Sequence, residues 1–245
     1  MFNKFIRTPW NDFPKVKVFY PSGTLRKASE KLYLEAKGGN VVSAYDLLIN
    51  YVLKDEDIFE FGIDLFNRKP ILAPVLAQEH LGKNRIPAVF AEILSGHLGF
   101  EVADDIVQTV KANHTNASAY ERIVRQPMFD GYVEAGRNYV ILDDTVSMGG
   151  TLAALKGHIE SNGGKVILGA TLTGYQDIDL VPLEKTLNHV RNKHPELPEW
   201  WQNEFGFPIE YLTQGELGHF KKPNSIDEIR SRLIEAGFQS SNEGS

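Results

Sequence analysis

Hydrophobic and polar positions alternate along this chain in two rhythms, and the changes of rhythm mark its elements. Thr24–Lys37 (TLRKASEKLYLEAK) has charged and apolar residues at helical spacing and stops at Gly38-Gly39-Asn40. A second helix is expected from Ser43, as its N-cap, through SAYDLLINYVLKD. Lys69–Ala77 (KPILAPVLA) is too short an apolar run for a helix and reads as a buried strand. The polar loop QEHLGKNRIP follows, then a helix over Ala88–Leu98 with Phe90, Ile93 and Leu94 on one face and Leu98 extending it. Glu101–Val110 is a weak strand. Lys111–Gly131 has no periodicity, and a loop of that length in a compact domain is functional or mobile.

The clearest run is strand Tyr139–Leu142, helix Gly150–Glu160, a Gly163-Gly164 stop, and strand Val166–Thr173. Leu152, Leu155 and Ile159 align on one side of the helix, as a crossover helix over a sheet requires. This order predicts a βαβ unit and an α/β fold with a mainly parallel, twisted sheet. Beyond Gly174, Ile178–Lys193 reads as helical. LPEWWQNEFGFPIEYL concentrates aromatics and prolines, and Ser225-Ile226-Asp227-Glu228 is a capping box opening a helix through Ala236. The polar tail, residues 239–245, is expected to be disordered. Residues 1–245 are expected to form a single domain, with a core of about 41–175 and a helical or irregular hood from 1–40 and 176–238.

Composition narrows the function classes. With no cysteine, disulfides, cysteine-ligated zinc or iron–sulfur sites and cysteine nucleophiles are excluded. The 26 Lys+Arg against 32 Asp+Glu give a net charge of −6, which argues against binding nucleic acid by bulk charge. The first fifteen residues hold no apolar run of signal-peptide length and no later stretch approaches a membrane span; mean hydropathy is −0.26. A cytoplasmic, membrane-free protein is expected.

The chemistry concentrates in Asn138–Leu152, NYVILDDTVSMGGTL. An apolar strand delivers Asp143 and Asp144 at its carboxyl end, where open α/β sheets bind ligands. The loop from Thr145 through Ser147, Met148, Gly149 and Gly150 then turns into a helix near Thr151. A helix start offers free N–H groups and a positive dipole end to a phosphate. Paired glycines let the backbone approach its oxygens, and Ser147 and Thr151 add hydroxyls. Acids repel phosphate, but they accept hydrogen bonds from sugar hydroxyls or order a magnesium shell through water. Together these features suit a phosphorylated ribose. No GxxxxGK[ST] loop and no GxGxxG after a strand is present.

This segment resembles the phosphoribosyl-diphosphate (PRPP) motif of the type I phosphoribosyltransferases: apolar strand, two acids, hydroxyl-bearing residues, Gly-Gly, Thr. The resemblance implies that Asp143 and Asp144 hold the ribose hydroxyls and serve catalysis. It implies that Thr145, Ser147, Met148, Gly149, Gly150 and Thr151 cradle the 5-phosphate. Met148 departs from the Thr many members carry. Lys83 and Arg85, in the loop after the first core strand, are the expected pyrophosphate cations, with an ordinary solvated loop as the alternative. Lys111, Arg122 and Arg125 stand where the family has its flexible loop, whose layout is similar to that of competence-type phosphoribosyltransferase-like proteins; a simple basic loop is the alternative. The cysteine zinc hook usual in that group is missing. The resemblance spans roughly residues 69–175.

It implies a twisted parallel sheet of type I phosphoribosyltransferase kind, Mg²⁺ as cofactor held by Asp143 and Asp144 through water, and transfer from PRPP to a nucleobase or related nitrogen acceptor. It leaves room for a homodimer, and for a non-catalytic PRPP or nucleotide-binding regulator, or a stress or defence effector, on the same fold. Of the seven histidines, His189 and His194 read as surface residues, while His80 and His114 fall in the two loops. Trp200, Trp201, Phe205, Phe207 and Tyr211 read as core rather than a base-stacking platform. No mechanism attaches to Gly215-Glu216-Leu217-Gly218-His219-Phe220.

Overall fold

Four runs of β-branched and apolar residues form one parallel sheet in the computed structural model, which describes residues 5–79, 82–109, 118–175 and 178–242. The strands are β1 (Lys17–Pro21), β2 (Ile71–Pro74), β7 (Asn138–Thr145) and β8 (Lys165–Gly174), in the order β1-β8-β7-β2. The long pair β7 and β8 runs in register from Asn138 opposite Lys165 to Thr145 opposite Thr173, with one irregularity at Tyr139/Val140. Two short antiparallel ladders lie outside the sheet: β3 (Gln78–Glu79) with β4 (Gly82–Lys83), and β5 (Val107–Gln108) with β6 (Phe129–Asp130).

Side chains on a strand alternate between faces, and the two cores separate accordingly. Leu72, Val140, Leu142, Ala170 and Leu172 face a cluster built from α1 (Thr24–Ala28), α3 (Val41–Asp46), α4 (Asp55–Ile63) and α5 (Ile86–Leu98). Ile71, Ala73, Tyr139, Ile141 and Val166 face α7 (Gly150–Ser161) through Leu152, Leu155 and Ile159. Helices therefore cover both faces. A third cluster joins α8 (Glu184–Lys193), α9 (Leu197–Phe205), α10 (Gln214–Gly218) and α11 (Ile226–Asn242) around Trp201, Phe205 and Phe220, and takes in Phe5 and, on α6 (Ala119–Val124), Ile123. Trp201, Phe205 and Phe207 are core, as expected, with Trp201 and Phe205 stacked 3.9 Å apart, whereas Trp200 and Tyr211 pack on the cluster only partly buried.

Several expected boundaries move, each for a local reason. The helix over Thr24–Lys37 breaks at Ser29, which is extended and accepts the Leu32 N–H with its hydroxyl, so that α2 spans Glu30–Lys37. Ser43 is not a cap. Asn40 takes that place by accepting the Ser43 N–H (3.1 Å), the Ser43 hydroxyl turns to Glu35, and residues 47–52 widen into a π-helix. The strand expected over Lys69–Ala77 is confined to β2. The loop Lys111–Gly131 contains α6, opened by a Ser118–Glu121 capping box, and β6; residues 110–117 lie outside the described residues. The helix expected from Ile178 begins only at Glu184, because Asp179 turns the chain by accepting the Val181 N–H and Pro182 disfavours helix before it. Of the tail expected to be disordered, residues 239–242 belong to α11, and residues 243–245 lie outside the described residues. His194, expected at the surface, is 2% exposed and its Nε2 lies 3.1 Å from the Phe220 carbonyl.

Burial pushes the His194 imidazole below its ordinary value, against the opposing pull of the Phe220 carbonyl and Glu228. The unfolded chain then binds that proton more readily than the folded one, so this histidine withdraws stability as pH falls below about 6.5. Thermal unfolding of wild type and His194→Gln between pH 7.5 and 5 is expected to show a shallower acid-side loss in the variant.

The N-terminal segment is a strap laid over α7. Trp10 Nε1–H donates to the Leu212 carbonyl (2.9 Å), and the Phe5 N–H donates to the Phe205 carbonyl (3.2 Å). Lys156, itself 2% exposed, donates to the Thr8 hydroxyl, the Pro9 carbonyl and Glu160. At Gly157 a Cβ would overlap the Ile6 carbonyl. Gly157→Ala, a change that gains about 1 kcal/mol in an unobstructed helix interior, is therefore expected to lower Tm by several degrees, measured by thermal denaturation.

Candidate functional site

β7 ends in Asp143, Asp144 and Thr145, and the chain leaves the sheet through Val146–Gly149 to start α7 at Gly150. Gly149 is the N-cap, with φ +80 in the left-handed region that favours glycine. Thr145 belongs to the strand rather than to the loop: its hydroxyl lies 2.8 Å from that of Thr173 on β8. The Val146 N–H is likewise used by the Thr173 carbonyl (3.0 Å).

The two acids are placed differently. Asp143 is part-exposed, and its Oδ1 accepts the Asp144 N–H (2.8 Å). Asp144 is 4% exposed and bound on Oδ2 by two donors: Lys37 Nζ at 2.7 Å and Asn84 Nδ2 at 3.1 Å. Sequence reasoning missed both partners. Lys37 comes from the end of α2, which the Arg85 N–H fastens to the pyrophosphate-loop candidate by donating to the Ala36 carbonyl (3.1 Å). Asn84 is buried and also accepts the Ile86 N–H at the start of α5. A Cβ on Gly82 would sit 2.6 Å from the Gly38 carbonyl, so this close seating of loop on turn requires glycine there.

Of the expected cations, Lys83 is exposed on β4 and Arg85 caps α5, its Nε buried without a hydrogen-bond partner. Asn84 between them brings this loop to Asp144. Arg122 on α6 reaches the phosphate-loop candidate, with Nη1 donating to the Ser147 hydroxyl (3.0 Å). Arg125 pairs with Glu121 on its own helix. Lys111, His80 and His114 lie outside the described residues.

Met148, where the resemblance expects Thr, packs its side chain on the aromatic cluster, and its carbonyl accepts the Thr213 hydroxyl (2.5 Å). The uninterpreted run around Gly215 proves to be the loop's support. Cβ atoms on Gly215 and Gly150 would stand 3.0 Å from the Met148 backbone and 2.6 Å from Glu216 Oε1. Glu216 and Arg7 form an ion pair at 2.8 Å with both side chains 1% exposed, and Arg7 Nε donates to Gln126 just beyond α6 (3.0 Å). Strap, hood helix and phosphate-loop candidate thus meet at one buried charge pair.

Among the described residues no group of three or more His, Asp or Glu comes together for a metal, and no helix is long and apolar enough to cross a membrane. The two carboxylates at this strand end thus differ in setting: Asp143 is part-exposed, whereas Asp144 Oδ2 is taken up by Lys37 and Asn84.

No family model matches the chain. It is 40% identical over 232 residues to Protein TraN of Escherichia coli, covering 94% of this chain and 51% of TraN. It is 38% identical over 155 residues to an uncharacterized protein of Haemophilus influenzae, covering 63% of this chain and 34% of that one. The chain thus spans about half the length, or less, of these relatives. Among solved structures, it is similar to a hypoxanthine-guanine phosphoribosyltransferase from Bacillus anthracis (22% identity, 62% of this chain and 74% of that chain, TM-score 0.36). It is also similar to adenine phosphoribosyltransferase from Saccharomyces cerevisiae (17% identity, 48% and 66%, TM-score 0.33). The likeness to TraN is one of sequence across nearly all of this chain, and the likeness to these solved structures is partial.

Proposed function

We propose that the chain binds Mg-PRPP at the carboxyl edge of β7 and transfers its phosphoribosyl group to a ring nitrogen of a nucleobase. The observation that carries the reading is the run from Asp143 to Gly150: an acid pair at a strand end, then a loop turning through a left-handed glycine into α7. In this reading the free N–H groups at the start of α7, the Ser147 and Thr151 hydroxyls and Arg122 hold the 5-phosphate. Asp143 accepts from the ribose hydroxyls. Lys83, Arg85 and Lys37 face the diphosphate. The bond from C1 to the diphosphate oxygen breaks with its electron pair leaving on the diphosphate. A bond from C1 to the base nitrogen forms, and the nitrogen gives up its proton. Positioning and charge stabilisation suffice for this chemistry, and no covalent nucleophile is needed. Asp143 would hold magnesium through water, and the ion would supply neutralisation of the leaving diphosphate. A cytoplasmic location belongs to the same proposal.

A second reading, binding without turnover, is favoured by one observation: Asp144 is buried and already paired with Lys37. Calorimetry with Mg-PRPP and pyrophosphate release with a panel of purine and pyrimidine bases distinguish the two. Turnover with any base supports transfer, and binding with no turnover supports the second reading. Asp143→Asn is expected to weaken Mg-PRPP binding at least about tenfold, about 1.4 kcal/mol. Absence of binding to the wild type overturns both.

A further inference from the structure

Residues 41–66 carry six acids, Asp46, Asp55, Glu56, Asp57, Glu60 and Asp64, against one base, Lys54, so nearly all of the chain's net −6 resides in this stretch. The same stretch exposes large apolar side chains: Val42 at 76%, Ile63 at 64%, Phe59 at 60% and Ile49 at 54%. Single exposed apolar residues are ordinary, but a cluster of them marks a contact surface.

These residues form two stripes that border α5. Val42, Tyr45 and Ile49 follow helical spacing along α3 and the π-helix, and the Tyr45 hydroxyl donates to Glu92 of α5. Phe59 and Ile63 are one turn apart on α4. On the same helix Asp55 lies 3.5 Å from His97 of α5, and Gly62 is seated on Leu98. Between them the exposed positions of α5 include Gly96, around which a Cβ would find nothing within 4 Å. The open position at Gly96, with Glu92 and His97 beside it on α5 and apolar stripes on the neighbouring helices, suits a helix laid across the surface.

Charge selects the occupant. A second copy of this chain would bring this acidic stretch against its own kind, where juxtaposed like charges repel even with Glu60 paired to Lys17 and Asp57 hydrogen-bonded by Tyr20. A helix with an apolar face flanked by Lys and Arg meets apolar stripe with apolar stripe and acidic rim with basic rim. We propose that α3, α4 and α5 form a docking surface for a basic amphipathic helix of another protein, separate from the ligand site on β7.

The test is fluorescence anisotropy with a labelled fourteen-residue Leu/Lys amphipathic peptide and a Leu/Glu peptide of equal hydrophobicity, alongside light scattering of the protein alone. The Leu/Lys peptide is expected to bind and to weaken with added salt, and the Leu/Glu peptide not to bind. Phe59→Ser/Ile63→Ser, which leaves the charge unchanged and alters only exposed side chains, is expected to weaken binding at least tenfold with Tm unchanged. Glu56→Lys/Asp64→Lys is expected to weaken it comparably. The proposal is overturned if the Leu/Lys peptide does not bind, or if Phe59→Ser/Ile63→Ser binds as well as wild type, which would mean bulk attraction. A dimer of the wild type that this apolar variant dissolves also overturns it, because the occupant is then a second copy.

Discussion

Glu216→Ala is expected to destabilise the protein by about 3–5 kcal/mol, the usual cost of breaking a buried ion pair from one side. For a chain of this size that is a fall in Tm of roughly 6–20 °C. The reason is the completeness of the site. Arg7 donates twice to Glu216, at 2.8 and 3.3 Å, and once to Gln126, while Glu216 Oε2 also accepts the Thr213 N–H at 2.8 Å. With both side chains 1% exposed, neither charge finds water when the other is removed. The guanidinium left by Glu216→Ala keeps the Gln126 hydrogen bond and the Phe207 ring but no counter-charge, whereas Arg7→Met/Glu216→Leu removes both charges and is expected to recover most of the loss. Urea and thermal unfolding of the three variants measure this. A single-variant shift under about 2 °C would show that the pair contributes nothing.

Gly149→Ala is expected to cost the protein its ligand as well as stability. The backbone at φ +80 charges alanine about 1–2 kcal/mol. The new Cβ also overlaps Leu180 Cδ2, and Leu180 is 1% exposed with little room to retreat. The turn that aims the first N–H groups of α7 must then shift, and Mg-PRPP affinity is expected to fall at least about tenfold, about 1.4 kcal/mol. Gly136→Ala is the control: it shares the dihedral, φ +79, but its Cβ would touch nothing within 4 Å and it precedes β7 at the opposite end of the strand. Equal stability losses with unchanged binding in both variants would mean that the turn at Gly149 has no part in the ligand site.

The centre of the fold was legible because it is local. Strand, turn and helix from Asn138 to Ser161 are set by a continuous apolar run, two glycines and a helical stripe, all within a short window. β1 was missed because its five residues show no alternation, with Val18 packed on one core cluster and Phe19 on the other against Phe61 and Phe90, and an edge strand paired on one side is short. At the site, the acids and the glycine turn were readable from spacing. Lys37 on Asp144, Asn84 between loop and acid, and Glu216 behind Gly150 were not. Each is brought to the motif by a tertiary contact, and nothing in its own neighbourhood distinguishes it from a surface Lys, a loop Asn or a helical Glu. Arg122 was legible only as a cation of the long loop after Lys111; its hydrogen bond to Ser147 depends on where α6 docks.

The strap has a consequence for how the chain is made. Arg7 and Trp10 meet partners 209 and 202 positions downstream. At roughly 5–20 residues per second, the ribosome takes on the order of 10–40 s between making Trp10 and Leu212. The strap's contacts with Lys156 and Gly157 can form once α7 has emerged, but its ties to Leu212 and Glu216 wait until the end of that interval. The sheet can pair early, but the loop between β7 and α7 acquires its rigid backing only after residue 216 emerges, so final closure is a late, long-range step expected to set the folding rate.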